Sequence, residues 1–302
     1  MAISNVSTYT VLQTTLNDVS KVETDLTNEQ EQLSSGNKSQ DFTGMSAQVQ
    51  QYLSLDNVLT KTNQYLTDNQ IVETRINGTS TALTQIINAA TSLQNLVAQR
   101  LTGVSNNAAF GTQINGLWQQ IAGQLNTNVD NQYIFSGTKT NTPAVDSTNF
   151  PTLQKVGVPD AGYYQGSQQD MTAHPQDSTS VTYNARADAP GFQQLFAGLA
   201  MAQLGDSANN TAYLTQAENL VQSGLQGIIG IQATVNSNSA QFSTIDKNLN
   251  NQKLYLQGIQ QSIGNTDIVA VSTQVAINQG ILQAAFQAFA KISGLRLADY
   301  LK

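Results

Sequence analysis

Apolar residues recur every seven positions along most of this chain. Leu12, Val19, Leu26 and Leu33 form a first seam, with Leu16 offset by four from its first member. Ile76, Leu83, Ala90 and Val97 form a second, with Ile86 and Leu93 in the neighbouring seam position. The longest runs through Leu214, Val221, Ile228, Val235, Phe242, Leu249, Leu256 and Ile263. Beside it stand Ala217, Gly224, Ile231, Asn238, Ile245, Gln252 and Ile259. A last seam joins Ile268, Val275, Leu282 and Phe289, with Val271, Ala285 and Ile292 alongside. A sustained 3.5-residue period winds α-helices into a left-handed coiled coil. As one helix, Leu214 to Ile263 is expected to run about 75 Å, longer than a compact domain of this size needs.

Proline marks where this pattern stops. All five prolines, Pro143, Pro151, Pro159, Pro175 and Pro190, fall between residues 143 and 190. A helix interior excludes proline at roughly 3 kcal/mol. Residues 1 to about 140 and about 191 to 302 are therefore expected to be helical almost throughout, and the middle not. In that middle, Gly162-Tyr163-Tyr164-Gln165 and Ser180-Val181-Thr182-Tyr183 read as strands, with aromatic and β-branched residues between turn formers. Asp188-Ala189-Pro190-Gly191-Phe192 reads as a helix restart, with Asp188 or Pro190 as the entry signal. The expected architecture is mainly α. It is an elongated antiparallel coiled-coil helical rod formed by the N- and C-terminal halves, with a small β-rich insertion in the middle. The two chain ends then lie together, each with an apolar stripe that needs cover. A bundle core within one chain and an interface between copies both meet that need, and the spacing fits both.

Composition narrows the chemistry. Charged residues are only 11% of the 302, and Gln, Asn, Ser and Thr carry the polar surface. Uncharged polar groups can be buried against a neighbouring subunit with a hydrogen bond and no ionic desolvation cost. The net charge of −7 argues against nucleic acid and anionic membranes as partners, because both select a basic face. The start, Met-Ala-Ile-Ser-Asn-Val-Ser, has neither the basic nor the apolar region of a signal peptide, and no apolar run is long enough to insert in a membrane. That pattern is expected both of a cytoplasmic protein and of one exported by a dedicated secretion apparatus.

No catalytic, cofactor or metal site is legible. There is no cysteine, so disulfides, thiolate metal sites and cysteine nucleophiles are excluded. The one histidine, His174, sits in the loop-like Thr172-Ala173-His174-Pro175, and a single imidazole cannot assemble a histidine metal site. No glycine-rich phosphate loop follows a strand. Glu23, Glu29, Glu31, Glu73 and Glu218 are scattered along helix faces and read as solvated or weakly paired. Trp118, among Ile114, Leu117, Ile121 and Leu125, has the spacing of a core residue. Tyr163, Tyr164 and Tyr183 read as strand packing, with glycan stacking as the alternative.

Five segments carry a resemblance. Glu29-Gln30-Glu31-Gln32-Leu33-Ser34-Ser35-Gly36 resembles the end of the N-terminal helix of flagellins, with Gly36 placed to terminate it. The Asp41-Phe42-Thr43-Gly44 that follows departs from the family's Asp-Asp-Pro-Ala-like turn. Asn131-Gln132-Tyr133-Ile134-Phe135-Ser136-Gly137-Thr138-Lys139-Thr140, Gly162-Tyr163-Tyr164-Gln165-Gly166 and Asp188-Ala189-Pro190-Gly191-Phe192 resemble the central motifs of the hook-associated protein 3 family, the hook-filament junction proteins of the flagellin superfamily. Phe289-Ala290-Lys291-Ile292-Ser293-Gly294-Leu295-Arg296-Leu297-Ala298-Asp299-Tyr300-Leu301 resembles that family's ending rather than flagellin's.

The resemblance implies a non-enzymatic, exported flagellar subunit without cofactors. Its implied partners are copies of itself in a ring, hook-associated protein 1, flagellin and an export chaperone. Residues 1–40 and 265–302 are then an inner assembly region, 41–140 and 191–264 a long-helix bundle, and 141–190 an outward-facing insertion. The expected interface residues are Leu12, Leu16, Val19, Leu26, Leu33, Ile268, Val271, Val275, Leu282, Phe286, Phe289, Ile292 and Leu297. A flagellin that builds the filament itself, and a flagellin-like surface protein that binds glycans, are the alternative roles.

Overall fold

The computed structural model describes residues 2–39, 48–103 and 107–300, with side chains described except at 2–9, 11–12, 107–108 and 292–300. The turn at Asp41-Phe42-Thr43-Gly44 lies outside the described residues. The helices are α1 (Ala2–Ser35), α2 (Val49–Leu101), α3 (Asn107–Leu125), α4 (Pro190–Ser207), α5 (Thr211–Gly264) and α6 (Ile268–Tyr300). Between α3 and α4 lie three antiparallel hairpins. They pair β1 (Asn128–Val129) with β2 (Gln132–Tyr133), β3 (Leu153–Lys155) with β4 (Val158–Pro159), and β5 (Thr172–Gln176) with β6 (Thr179–Thr182). The protein is thus mainly α with small antiparallel sheets in its middle. It separates into a terminal unit, Met1–Thr60 with Leu254–Lys302, and a central unit, Lys61–Lys253.

Helix ends follow local chemistry. Gly36 stands just past α1 at φ +72°, and its N–H closes the last turn on the Gln32 carbonyl at 2.8 Å. The Asn210 side chain accepts from the Ala212 N–H, 3.0 Å, at the start of α5. Asp267 does the same for Val269 and Ala270 at the start of α6, 3.0 and 3.1 Å. Entry into α4 is through Pro190 in the first turn with Ala189 as the uncapped flanking residue. Asp188 takes no part as a cap; its carboxylate pairs with Arg186 at 2.8 Å.

The central unit is built on α2 and α5. Asn69 donates to Asp246 at 2.6 Å, Ser80 to Asn236 at 2.9 Å, and Gln232 to Thr84 at 2.8 Å. Each step forward in α2 is matched by a step back in α5, so the two run antiparallel. The seam positions Ile76, Leu83, Ile86, Ala90, Leu93 and Val97 are all buried, as are Leu214, Val221, Ile228, Val235, Phe242 and Leu249. Trp118 on α3 is buried, as its spacing predicts. Its ring meets Phe196 of α4 edge-on at 5.1 Å, and Phe196 meets Tyr163 edge-on at 4.6 Å.

Three expectations for the middle are corrected. Helix does not continue to residue 140: α3 stops at Leu125 and the chain enters the β1–β2 hairpin. Its two turn residues, Asp130 and Asn131, both have positive φ (51° and 64°), the requirement of a tight two-residue turn that matches strand twist. Gly162–Gln165 is not a continuous strand: only Tyr164 pairs, in an isolated antiparallel bridge with Val145. Ala161–Tyr163 is a single 3-10 turn, capped by Asp160, whose carboxylate accepts from the Gly162 N–H at 2.9 Å. His174 lies in strand β5 rather than in a loop. The neighbouring Pro175 is accommodated where the β5–β6 register shifts, between Ala173 and Gln176.

The turn of the β5–β6 hairpin is tied to α2 by charge. Lys61 Nζ donates to the Asp177 carboxylate at 2.6 Å and the Tyr65 hydroxyl donates to it at 2.7 Å. The Lys61 hydrogen bond, then that of Tyr65, holds the Asp177 carboxyl below its ordinary 3.8, and Asp177 in turn holds the Lys61 ammonium above 10.5. A lowered acid contributes stability above its unfolded value and loses it as pH falls through the folded one; a raised base contributes below its unfolded value and loses it as pH rises. The tie is therefore expected to hold from about pH 5 to about pH 10. An NMR titration of the Asp177 carboxyl is expected to give a midpoint below 3.8 that returns toward 3.8 in Lys61→Met. A midpoint at or above the ordinary value in the unaltered chain contradicts the tie.

Candidate assembly interface

The terminal unit is held mostly by α1 and α6. The Thr266 N–H donates to the Gly36 carbonyl at 2.9 Å, and the Lys38 N–H to that of Gly264 at 2.8 Å. Further along, Asn278 donates to the Glu29 carboxylate at 2.9 and 3.0 Å. As α1 recedes from its end α6 advances from its start, so the pair is antiparallel. Nearby, Gln260 of α5 donates to Asp56 of α2 at 3.2 Å.

The sequence-derived seam is only half covered here. Val19, Leu26 and Leu33 on α1, and Val271, Val275, Leu282 and Phe289 on α6, are half-buried. On α1 the same covered face carries Thr15, Val22 and Glu29, three residues ahead of the seam that starts at Leu12. Leu16 lies off this face and is 48% exposed; Ile268 and Phe286 are 58% and 55% exposed. The side chains of Leu12, Ile292 and Leu297 lie outside the described residues.

Asn278 is a residue that the periodicity passed over. It occupies the place between Val271 and Ala285 in the α6 heptad and is 6% exposed. Its partner Glu29 is correspondingly not a solvated surface carboxylate. A single polar pair inside an apolar seam stabilises one alignment of two helices over the alternatives, because any slip leaves the buried amide unpaired. The signal was available in the seven-residue spacing of 271, 278 and 285, read without demanding an apolar residue at each position.

Apolar exposure is concentrated in this unit. On α1 and α6 the exposed large apolar residues are Leu16, Ile268, Val269, Ile277, Ile281 and Phe286; on the adjoining ends of α2 and α5 they are Leu53, Val58, Leu254 and Tyr255. The larger central unit exposes only Ile71, Val156, Leu204 and Ile229 of this class among the described residues. Burial shows the converse. Leu59 and Ile263 are the only fully buried apolar side chains of the terminal unit among the described residues, and all the others belong to the central unit. Such a surface lacks the core that would fix it alone, and it presents apolar area of the kind that marks a protein interface.

The aromatic residues weighed for glycan stacking are engaged internally. Tyr163 is buried against Phe196, and its hydroxyl donates to the Ala187 carbonyl at 3.0 Å. The Tyr164 hydroxyl donates to the Ser167 carbonyl at 2.7 Å, and burial pushes that phenol up to about 12. Tyr183 is buried and accepts from Arg75 at 3.2 Å. His174 is exposed, with Nδ1 3.2 Å from the Thr179 carbonyl. Among the described residues no three histidine, aspartate or glutamate side chains gather as a metal site. No described helix is long and apolar enough to cross a membrane.

The three central motifs converge in space. The Ser167 N–H, beside Gly166, donates to the Ser136 carbonyl at 2.9 Å, and the Ala187 N–H, next to Asp188, donates to that of Phe135 at 3.0 Å. Phe135 meets Phe192 edge-on at 6.3 Å. Gly137 has φ +60°, and a Cβ there would strike the Ser167 carbonyl; a Cβ on Gly166 would lie 2.6 Å from the Ser136 carbonyl. These glycines are required by the close passage of one motif over the other.

Residues 6–140 match the family described as the bacterial flagellin N-terminal helical region. No curated protein matches the sequence. Among solved structures the chain is similar to a Vibrio parahaemolyticus protein described as a flagellar hook-associated protein, at 16% identity and a TM-score of 0.58 over 70% of this chain and 95% of that one. It is similar to FlgL of Bacillus cereus at 18% identity and a TM-score of 0.57, over 68% and 98% of the two chains. For FlgL of Xanthomonas campestris the values are 10% and 0.51, over 68% and 99%. At these identities the likeness establishes a shared fold.

Proposed function

We propose that this protein is a structural subunit of the bacterial flagellum, of the hook-filament junction type, that self-assembles through α1 and α6. The observation that carries this reading is the uneven distribution of apolar surface. Among its described residues the terminal unit leaves Leu16, Ile268, Ile277, Ile281 and Phe286 in solvent and buries only Leu59 and Ile263 of its apolar side chains. Covering such side chains is worth about 25 cal/mol per Å² of apolar surface, enough to drive subunit association. The match of residues 6–140 to the flagellin N-terminal helical region and the fold shared with hook-associated proteins support it.

In this reading residues 1–40 and 265–302 are the assembly region, 41–140 and 191–264 the long-helix bundle, and 141–190 the outward-facing insertion. Neighbours are copies of the chain in a ring, with hook-associated protein 1 on the hook side and flagellin on the filament side. The chain is delivered by export with a chaperone. It performs no catalysis. Val19, Leu26, Leu33, Val271, Val275, Leu282 and Phe289 hold α1 to α6, and the exposed residues named above meet the next subunit.

The test is complementation of a strain lacking the gene with the double variant Ile281→Asp and Phe286→Asp. Both positions are exposed, so the purified variant is expected to keep its helix content and the melting temperature of its central unit. Electron microscopy is expected to show hooks without filaments and shed flagellin in the medium. Normal filaments and swimming with the double variant would sink the reading. If the gene-deleted strain lacks filament subunits altogether and the protein dominates sheared flagella, the chain is a flagellin instead.

A further inference from the structure

Four buried side-chain polar atoms of the central unit have no hydrogen-bond partner among the described residues, and three of them, Arg75 Nε, Gln132 Oε1 and Asn184 Nδ2, belong to residues that line one cavity. The cavity is about 10 Å³, the space of one water molecule. It lies where α2, the β1–β2 hairpin and the segment after β6 meet. Leaving three such groups unpaired is costly, and native interiors rarely tolerate it. From this geometry we infer a structural water site that ties the hairpin to the long helix.

The donor set identifies the occupant. Arg75 Nε is a donor only. The Asn184 amide is oriented by its other end, whose oxygen accepts from the Met171 N–H at 2.9 Å, so its unpaired end is the NH₂, a donor. Gln132 Oε1 is an acceptor. An anion accepts from the two donors but is repelled by the Gln132 oxygen, and a cation is repelled by the Arg75 guanidinium. Water accepts two hydrogen bonds and donates to the glutamine, which matches the set with neither repulsion. Arg75 also donates through Nη1 to the Tyr183 hydroxyl, so the bound water extends a network that already joins α2 to the end of β6.

Crystals of the full chain grown in chloride and in bromide test this. The expected result is one spherical density peak within about 3.2 Å of all three atoms, without anomalous signal in bromide. An anomalous peak at the site would mean an anion with the Gln132 amide reversed, and would overturn the assignment. So would Arg75 and Gln132 paired directly across a closed cavity. In Gln132→Met, which removes the acceptor at similar volume, the water is expected to be lost while the chain still folds. A water retained there with unchanged contacts also defeats the proposal. Should that variant fail to fold, the unaltered crystals decide alone.

Discussion

Phe196→Ala is expected to remove about 3–5 kcal/mol from the stability of the central unit. Phe196 is fully buried and stands between two rings, Trp118 at 5.1 Å and Tyr163 at 4.6 Å, each at 89° to it. Edge-on pairs add about 0.5–1.5 kcal/mol each beyond the area they bury. The deletion therefore loses the transfer energy of the ring and both pairings. The cavity left behind is walled by stiff aromatic groups from α3 and the 3-10 turn, Trp118 and Tyr163, which relax into it poorly. Urea unfolding followed by the fluorescence of Trp118, the only tryptophan of the chain, measures the effect at the site itself. A loss under about 1 kcal/mol would mean that the cluster is not part of the core. Phe196→Leu, which keeps most of the volume, is expected to lose less.

Gly224→Ala is expected to destabilise the same unit by about 2 kcal/mol, and Gly230→Ala to stabilise it by up to about 1 kcal/mol, although both lie in α5. A Cβ on Gly224 would stand 2.6 Å from the Leu195 nitrogen and 2.9 Å from the Gly191 carbonyl oxygen of α4. Those are backbone atoms, so α4 and α5 must separate to admit a methyl group. Gly191 reciprocates, for its own Cβ would meet Gly227 and the Ile228 nitrogen at 2.9 Å. At Gly230 nothing lies within 4 Å, and only the helix preference for alanine remains. Paired thermal and urea melts decide it. Shifts of the same sign in the two variants would show that the α4–α5 approach is not the constraint.

The heptad seams were legible because the seven-residue period is a local property of the chain. Ile76 to Val97 and Leu214 to Leu249 are buried as the spacing required. The stop at Gly36 was equally local, since it needs only a residue that accepts positive φ. The β1–β2 hairpin escaped notice because two-residue strands are too short to show alternation, and only the Asp130-Asn131 pair signalled a turn. Gly162–Gln165 read as a strand on its aromatic content, yet its first half is a 3-10 turn that packs Tyr163 on Phe196, and only Tyr164 pairs, in one bridge with Val145. Glu29 read as a surface carboxylate because its partner, Asn278, is 249 residues away.

What the amino-acid order determined by itself was which tracts carry helical heptads, which faces of them are apolar, and the stop at Gly36, because periodicity and capping act over a few residues; the stop of α3 at Leu125 was not among them. Which of those apolar positions find cover within one chain was decided only by the tertiary structure. Val271, Val275 and Leu282 are half-buried while Ile268 and Phe286 stay in solvent, though all belong to one apolar helix. The physical reason is rotational. A helix turns about 100° per residue, so the partner it meets, here α1 locked by the Glu29–Asn278 pair, selects one stripe and leaves the others open.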